Sequence, residues 1–323
     1  MSRLLEVRDL CTHYVSARGA RVTRAVHGVS LALETGETLG IVGESGSGKT
    51  TLALSILRLL PPAGRIVRGE VRFEGEDLLA KPDAEMRRIR GKRIAMILQD
   101  PMASLNPLFT VGDQVAEPIR VHEKAGRNGA WAKAQELLRA VRIPAPEVRV
   151  REYPHQMSGG MRQRIVGAIA ISCEPRLLIA DEPTTSLYLT IQAQYLNLLR
   201  ELQRAHRLAL IFITLNLGIV AKMCDRVAVM YAGRIVEAGP VRRIFNDPAH
   251  PYTQALLDSI PRLGDPRQRL TAIDGQPPDL AALPPGCPYH PRCPKVMERC
   301  REEDPPELSV GEGQATRCWL AGS

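Results

Sequence analysis

The chain has few aromatic residues and no long hydrophobic run, and both absences narrow what it can be. Phe, Trp and Tyr make up 4% of its 323 residues, too few to indicate a surface that stacks nucleic-acid bases. The longest apolar run covers residues 208–214, far short of the roughly 20 residues that span a bilayer. The first residues lack the apolar stretch of a secretory signal, so we expect the chain to stay in the cytoplasm.

The net charge of the chain excludes few classes of binding partner. Lys and Arg number 43 against 35 Asp and Glu, which gives a formal charge of +8. A basic balance of this kind fits nucleic acid, an anionic membrane surface, or phosphate ligands and solvated arginines. The basic residues are scattered apart from one dense run at 87–93. We therefore interpret them as a solvated face rather than a nucleic-acid site.

Cysteine is sparse until the end of the chain. Three of the seven cysteines are isolated, and we interpret them as small core residues: Cys11, Cys173 and Cys224. The other four crowd the last segment: Cys287, Cys293, Cys300 and Cys318. In a reducing compartment, four clustered thiols indicate a metal site more often than a pair of disulfides.

The most informative segment is a glycine-rich loop between a strand pattern and a helical pattern. It reads Gly43-Glu44-Ser45-Gly46-Ser47-Gly48-Lys49-Thr50 and fits G-x-x-x-x-G-K-[ST] at every fixed position. Its glycines let backbone N–H groups turn inward onto phosphates, at a helix N-terminus that adds partial positive charge. Lys49 would reach the β- and γ-phosphates, and the Thr50 hydroxyl would ligate Mg²⁺, with Thr51 beside it. This P-loop predicts that the chain binds a nucleoside triphosphate.

A second segment supplies the acidic half of such a site. Residues 177–182 form an apolar strand pattern that ends in Asp181 and Glu182. An Asp at the carboxyl end of a buried parallel strand can hold Mg²⁺ through water. Glu182, one residue later, can act as the general base toward the attacking water. Alone such a pair also occurs as a strand cap, but after a P-loop it indicates phosphoryl transfer.

A third segment reads Ser158-Gly159-Gly160-Met161-Arg162-Gln163-Arg164 and opens a helical pattern. A Ser-Gly-Gly turn at a helix start is another anion-binding N-terminus, here without a lysine of its own. A glutamine, Gln99, lies in Ile97-Leu98-Gln99-Asp100-Pro101. With these motifs in these positions, the chain resembles the ATP-binding subunit of an ABC transporter.

The resemblance assigns a role to each motif. The turn formed by Ser158, Gly159 and Gly160 would close on the γ-phosphate held by the P-loop of the opposite subunit. Gln99 would be the Q-loop glutamine, which serves the Mg²⁺ and the reacting centre and lies in the region that transmits closure to the membrane subunits. Tyr14 falls where the family places an aromatic residue that stacks on adenine.

The resemblance also implies a fold. Residues 1–260 would form an α/β P-loop NTPase domain, with a RecA-like core, an antiparallel β subdomain and a helical subdomain that bears the signature turn. Three segments narrow the resemblance to the oligopeptide/dipeptide importer branch: 99–107, 158–164 and 250–257. In that branch, residues 261–323 would form a C-terminal extension with a four-cysteine module.

Partners and location follow from the same resemblance. A second, different ABC ATPase would complete a heterodimer, two integral-membrane permeases would receive the motion, and a peptide-binding protein would feed them. No nucleic acid is implied, and we expect a peripheral position on the cytoplasmic face of the inner membrane. Two alternatives stay open, namely a soluble ABC ATPase of DNA repair or translation and a non-hydrolysing regulatory subunit. The first usually carries two cassettes or a long coiled-coil insertion, and the sequence has neither.

Two positions depart from the family pattern. Tyr188 stands where the D-loop has an aspartate, and Leu215 stands where the H-loop has a histidine that contacts the γ-phosphate. Leucine neither donates nor accepts a hydrogen bond, and the loss of one positioned polar group in such a site costs on the order of 10²–10³ in rate. We expect this chain's own site to bind ATP and to hydrolyse it slowly.

The four C-terminal cysteines lie in a proline-rich span with little apolar sequence for a core of its own, which favours a metal staple. Their spacing lacks the C-x₂-C pairs typical of zinc ribbons. Four cysteines suit a [4Fe–4S] cluster, and the importer branch carries one in similar tails. Zinc, free thiols and disulfides stay open. Nothing near the P-loop motifs suggests electron flow, so we expect a structural role. A Cys→Ser change at any one of the four should destabilise this segment and leave ATP binding largely intact.

Overall fold

The chain folds into two units, each with its own hydrogen-bonded strands. The computed structural model describes residues 3–16, 19, 21–100, 104–185, 187–260 and 272–322. The sheet unit comprises Arg3–Leu33, Thr38–Leu79 and the chain from Ile213 onward. The helical unit comprises Glu34–Glu37 and Ala80–Phe212.

The strands and helices of the described residues are numbered here in chain order. The strands are β1 (Arg3–Val15), β2 (Val22–Glu34), β3 (Thr38–Val42), β4 (Gly64–Phe73), β5 (Glu76–Asp77), β6 (Ile94–Ile97), β7 (Leu177–Asp181), β8 (Ala209–Ile213), β9 (Arg226–Tyr231), β10 (Arg234–Pro240), β11 (Leu308–Gly311) and β12 (Gln314–Thr316). The helices are α1 (Lys49–Ile56), α2 (Asp83–Ile89), α3 (Val111–His122), α4 (Arg127–Ala140), α5 (Pro146–Arg149), α6 (Gly159–Ile171), α7 (Leu189–His206), α8 (Leu217–Met223), α9 (Val241–Asn246), α10 (Pro251–Asp258) and α11 (Glu298–Glu302).

The sheet unit holds two sets of strands. One is antiparallel with the order β2-β1-β4-β5, and Leu5 lies opposite Phe73 in the β1–β4 pair. In the other, the order is β11-β12-β10-β9-β3, with β3 parallel to β9 and the remaining pairs antiparallel. Every residue of β3 is buried, which is typical of a parallel strand covered on both faces. The last two strands of the chain therefore extend the sheet that carries the P-loop strand.

In the helical unit, α3, α4 and α6 pack against one another, and α6 also packs against β6, one of three short strands. Its strands run in the order β8-β7-β6, and β6 pairs with β7 in parallel, with Ile97 opposite Ala180. Ala, Leu and Glu recur at helical spacing between Trp131 and Val141, and this stretch falls on α4, which begins earlier, at Arg127, and ends at Ala140. Among the described residues, no helix is both long enough and apolar enough to cross a bilayer.

The P-loop helix is shorter than the sequence pattern suggests. Apolar residues continue to Leu60, but α1 ends at Ile56. Arg58 takes a left-handed backbone with φ of 52°, a conformation that an L-residue adopts at a cost and that stops a helix. Pro61 and Pro62 follow and cannot donate the backbone hydrogen bonds that would continue it.

A buried carboxylate ties the C-terminal strands to this sheet. Glu237 on β10 is buried and accepts hydrogen bonds from the N–H groups of Ala249 (2.7 Å) and His250 (3.1 Å). It also accepts one from the Gln314 side-chain amide on β12 at 2.8 Å. One side chain thus satisfies three donors from two other segments.

We predict that Glu237→Ala destabilises the protein, because it leaves three buried donors without an acceptor, a loss of about 3 kcal/mol. Chemical denaturation followed by circular dichroism measures the change in the free energy of unfolding. Glu312→Ala, at a side chain that is 75% exposed, is the control and should unfold like the unaltered protein. Equal midpoints for the two variants would contradict the prediction.

Candidate nucleotide-binding site

The path of the P-loop is fixed by close backbone contacts within the sheet unit. A Cβ added at Gly43 would lie 2.0 Å from the Met230 carbonyl oxygen on β9. One added at Gly48 would lie 2.1 Å from the Ala25 carbonyl oxygen on β2. Gly48 also has a φ of 102° and is the residue from which α1 begins. Only glycine fits at these two positions, because the clashing atoms are backbone and cannot move aside.

The P-loop lysine lies folded into the loop. Its side chain is buried, with 5% of the residue exposed. The Lys49 ammonium donates to the carbonyl oxygens of Gly43 at 2.8 Å and Glu44 at 2.9 Å, and to Ser47 Oγ at 3.4 Å. Among the described residues, no side chain caps the start of α1. The ammonium and the first N–H groups of α1 are therefore placed to meet a phosphate.

The remaining P-loop positions are accessible or lie beside the predicted adenine contact. Ser45, Gly46 and Thr50 are exposed. The hydroxyl groups of Thr51 and Tyr14 lie 3.3 Å apart, so Tyr14 is placed beside the first turn of α1. Its half-buried ring is consistent with a nucleotide neighbour, and adenine stacking by Tyr14 stays a prediction.

In the helical unit, the structure brings Gln99 and Glu182 together. Because Ile97 pairs with Ala180 in parallel, Gln99 and Glu182 each lie two residues beyond a paired position, just past the ends of neighbouring strands. Gln99 Nε2 donates to Glu182 Oε2 at 3.0 Å, and the Thr185 hydroxyl donates to the same oxygen at 3.1 Å. Asp181, the last residue of β7, is buried. The sequence predicted each residue separately, and the strand register explains their contact.

The backbone at Glu182 is strained. Its φ is 45°, in the left-handed region that costs a non-glycine residue on the order of 1–3 kcal/mol. The strain turns the chain sharply after β7, so that the carboxylate of Glu182 reaches Gln99 while Asp181 stays in the strand. Such outliers are found at functional sites more often than elsewhere.

The signature turn forms a helix N-terminus, as predicted. Ser158 is the N-cap of α6, and its hydroxyl accepts from the Met161 N–H at 3.3 Å. Ser158 and Gly159 are exposed, whereas a Cβ at Gly160 would lie 2.8 Å from Ile191 Cγ2 on α7. The turn therefore presents backbone N–H groups to solvent on one side and packs tightly on the other.

Both departures from the family pattern are accessible. Leu215 is 51% exposed and follows Thr214, whose N–H donates to the Ile41 carbonyl on the P-loop strand at 3.2 Å. Tyr188 is 87% exposed and occupies the N-cap of α7, where the described residues include no side-chain cap bond. An aspartate would cap this helix, whereas tyrosine leaves its first N–H groups to solvent.

The four C-terminal cysteines line one small cavity, together with His250 and Tyr289. Burial raises the pKa of the Cys287 thiol to about 12, and interaction with the three other cysteines acts in the same direction. Burial also raises the pKa of Cys293 and of Cys318. The described residues contain no group of three or more metal-binding side chains already arranged around one point. The donor set, four sulfurs facing one cavity, is the chemistry that iron–sulfur clusters and zinc accept.

Two residues outside the predicted set touch the P-loop. The Glu44 N–H donates to the Tyr252 hydroxyl at 2.8 Å, and the Arg292 guanidinium contacts the Glu44 carboxylate. The segment at 250–257 was singled out as a branch motif, but not for a contact of this kind. No sequence signal identified Arg292.

Comparison with known proteins agrees with this geometry. A family model described as ABC transporter matches residues 26–185, and one described as the C-terminal region of oligopeptide/dipeptide transporters matches residues 236–300. A probable peptide ABC transporter ATP-binding protein of Sinorhizobium fredii is 52% identical over 98% of this chain and 94% of its own. An oligopeptide transport ATP-binding protein of Bacillus subtilis is 49% identical over 99% and 89%.

Solved structures share the fold. The chain aligns with an ATP-binding cassette dimer bound to ADP and Pi with a TM-score of 0.66 and 24% identity, over 74% of this chain and 99% of that one. A Clostridium perfringens subunit of an ABC transporter complex aligns with a TM-score of 0.64 and 25% identity, over 76% and 92%. The family models, together with relatives of about 50% identity that match over most of their length, show that the chain belongs to the ATP-binding subunits of ABC transporters, in the oligopeptide/dipeptide importer branch.

Proposed function

We propose that the chain binds MgATP and couples its turnover to the import of peptides through membrane permeases. The observation that carries this proposal is the P-loop itself, in which glycines without room for a side chain hold Lys49 against two carbonyls at the start of α1. Peptide cargo is supported by the relatives named for peptide, oligopeptide and dipeptide transport.

Each site residue takes a role in this proposal. The loop from Gly43 to Thr51 receives the phosphates, with Lys49 on the β- and γ-phosphates and Tyr14 at the adenine. Mg²⁺ supplies charge neutralisation at the transferring phosphate when it is bound, and Thr50, Gln99 and Asp181 would hold it. Glu182 orients water and accepts its proton, whereas Ser158, Gly159 and Gly160 serve the nucleotide of the opposite subunit.

We predict that the purified chain binds MgATP and that Lys49→Ala abolishes binding or weakens it at least tenfold, because the buried ammonium is the P-loop's charged phosphate ligand. Calorimetric titration measures the dissociation constant. Lys222→Ala, at an exposed lysine on α8, is the matched control and should bind ATP normally. A folded wild-type chain that takes up no ATP would refute the proposal.

We propose further that the site built on Lys49 hydrolyses ATP slowly and that transport depends on the partner's site. Leu215 offers no polar atom to the γ-phosphate, and Glu182 is engaged by Gln99 and Thr185 rather than by a histidine. If the loss of the histidine stops hydrolysis completely, the chain is the non-hydrolysing regulatory subunit of the alternative hypothesis. Binding does not require the missing histidine, because it rests on the P-loop.

We predict that Leu215→His, alone and with Tyr188→Asp, raises ATP turnover in the reconstituted complex by about tenfold or more. The half-exposed position accommodates the imidazole, which would contact the γ-phosphate. Glu182→Gln in the unaltered chain should change turnover little. If Glu182→Gln abolishes turnover while Leu215→His has no effect, this site is the working one and the proposal is wrong.

The proposed partners are a second ABC ATPase in a heterodimer, two permeases, and indirectly a peptide-binding protein. The permeases would hold the chain at the cytoplasmic face of the inner membrane. Exposed apolar side chains at Leu98, Leu108 and Phe109, close in sequence to Gln99, support a membrane-protein contact on the helical unit.

We propose that the nucleotide-binding domain ends at residue 260 and that the C-terminal extension begins at residue 261. Residues 261–271 lie outside the described residues.

We propose that Cys287, Cys293, Cys300 and Cys318 hold a [4Fe–4S] cluster with a structural role. The support is that all four line one cavity and that the C-terminal segment otherwise has little apolar core. Burial raises the pKa of Cys287, Cys293 and Cys318, which favours the protonated thiols, and a bound cation would displace these protons.

We predict that anaerobically purified protein is brown, with broad visible absorbance and about four irons per chain. Iron and sulfide analysis checks this, and Cys173→Ser, at an isolated cysteine, is the control that should keep the colour. Stoichiometric zinc without iron or sulfide, in protein made with ample iron, would assign the site to zinc instead.

A further inference from the structure

Glu44 is held on three sides. Its N–H donates to the Tyr252 hydroxyl at 2.8 Å. Its carbonyl oxygen accepts from the Lys49 ammonium at 2.9 Å. Its carboxylate is bound by the guanidinium of Arg292, with Nη1 at 2.7 Å from Oε2 and Nη2 at 3.0 Å from Oε1. This P-loop residue therefore lies between the lysine of the site and two residues of the C-terminal part of the chain.

The hydrogen-bond donors of the Arg292 guanidinium are satisfied by neighbouring residues. Besides its two bonds to the Glu44 carboxylate, Nη1 donates to the Tyr231 hydroxyl at 3.3 Å. Nη2 donates to the Ile273 carbonyl at 3.4 Å, and Nε to the Asp274 carbonyl at 2.8 Å. The side chain is 4% exposed. All five N–H donors of the guanidinium thus have acceptors, a geometry that fixes the position of its partner as well as its own.

The aromatic cluster beside Arg292, to which Tyr252 belongs, is well packed. The rings of Tyr231, Tyr252 and Tyr289 contact one another, with centroids 4.6 to 5.3 Å apart. The same core cluster includes Val42 at the end of the P-loop strand. The carboxylate of Glu44, in contrast, is 25% exposed. The aromatic cluster is therefore the rigid side of this contact, and the Glu44 side chain is the side that can move.

We propose that Arg292 and Tyr252 are positioning residues for ATP binding, and that they act through Glu44. By fixing Glu44 they fix its carbonyl oxygen, which helps hold the Lys49 ammonium where the phosphates arrive. The inference rests on ATP binding by the P-loop and adds that the C-terminal segment sets its affinity.

The test is calorimetric titration of the full-length chain with MgATP, which separates the dissociation constant from the fraction of competent protein. Arg292→Met keeps the aliphatic stem and removes the five donors, while Glu44 can turn to solvent. The variant should raise the dissociation constant about tenfold, at unchanged stoichiometry, since hydrogen bonds to charged groups contribute on the order of a factor of ten or more. A change in folding alone would instead lower the stoichiometry or the melting temperature.

Tyr252→Phe removes one hydroxyl and leaves the ring packing in place. It should raise the dissociation constant about fivefold, as expected for one neutral hydrogen bond. Tyr289→Phe is the matched control, because its ring belongs to the same cluster and no described contact joins its hydroxyl to Glu44. This control should bind ATP as the unaltered chain does.

Combining Arg292→Met with Glu44→Ala tests whether the effect passes through Glu44. The double variant should bind ATP no more weakly than the weaker single variant, because both changes break the same link. If the two effects multiply, Arg292 does not act through Glu44. Should Glu44→Ala fail to fold, Arg292→Met and Tyr252→Phe still decide.

The outcomes separate this inference from the proposed function. If the wild-type chain binds ATP, and Arg292→Met and Tyr252→Phe bind it within a factor of two of wild type, the inference is overturned while ATP binding stands. If Tyr289→Phe weakens binding as much as Tyr252→Phe, packing and not the hydroxyl is responsible, and the inference is also overturned. Absence of binding to the wild-type chain, with Lys49→Ala unchanged from it, refutes the proposed function instead.

Discussion

The interaction on which the site depends is the contact of the Lys49 ammonium with the carbonyl oxygens of Gly43 and Glu44. A buried cation needs such acceptors, because burial of an unpaired charge is costly. Those acceptors exist because the loop backbone runs against Met230 on β9 and Ala25 on β2, where a Cβ would leave no room. Strand pairing between β3 and β9 sets the distance that makes this possible. The proposed phosphate site is thus a consequence of backbone packing. The carbonyl groups of the loop, and not only the rotamer of the side chain, position the Lys49 ammonium.

A different constraint governs Gln99 and Glu182, the proposed catalytic residues of the helical unit. The parallel register of β6 and β7 places Gln99 and Glu182 at the ends of neighbouring strands, and the strained backbone of Glu182 turns its carboxylate toward Gln99. In this arrangement the carboxylate accepts two hydrogen bonds from its neighbours. Under the proposal of slow turnover, Leu215 supplies no polar group to the γ-phosphate, whereas ATP binding depends on the P-loop.

Much of this could be predicted from the sequence because the signals are local. The P-loop, the acidic strand and the signature turn are each short segments whose spacing specifies their backbone, and all three have the expected strand or helix context. The end of α1 could not be placed from the sequence, because the apolar pattern continues past Arg58 to Leu60 and only the backbone shows the left-handed turn at Arg58. The pair formed by Arg292 and Glu44 lies beyond such reasoning, since 248 residues separate the partners. The same holds for Glu237, a buried carboxylate that accepts three hydrogen bonds, because no local sequence pattern predicts its partners.

The same pair changes how the cysteine segment is understood. From the sequence, we expect Cys→Ser changes to destabilise this segment and to leave ATP binding largely intact. In the structure, Arg292 ends a 3₁₀ turn, His290–Arg292, that follows Cys287 closely and leads directly into Cys293. Within this segment the N–H of His290 donates to the Cys287 carbonyl and that of Cys293 to the His290 carbonyl. Whatever holds these two cysteines in place also holds the guanidinium that binds Glu44. A loss of order at the cysteine cavity therefore has a short route to the lysine of the P-loop, through the peptide bond from Cys293 to Arg292, the ion pair of Arg292 with Glu44, and the Glu44 carbonyl that accepts from Lys49. These contacts favour coupling between the cysteine cavity and the P-loop over independence.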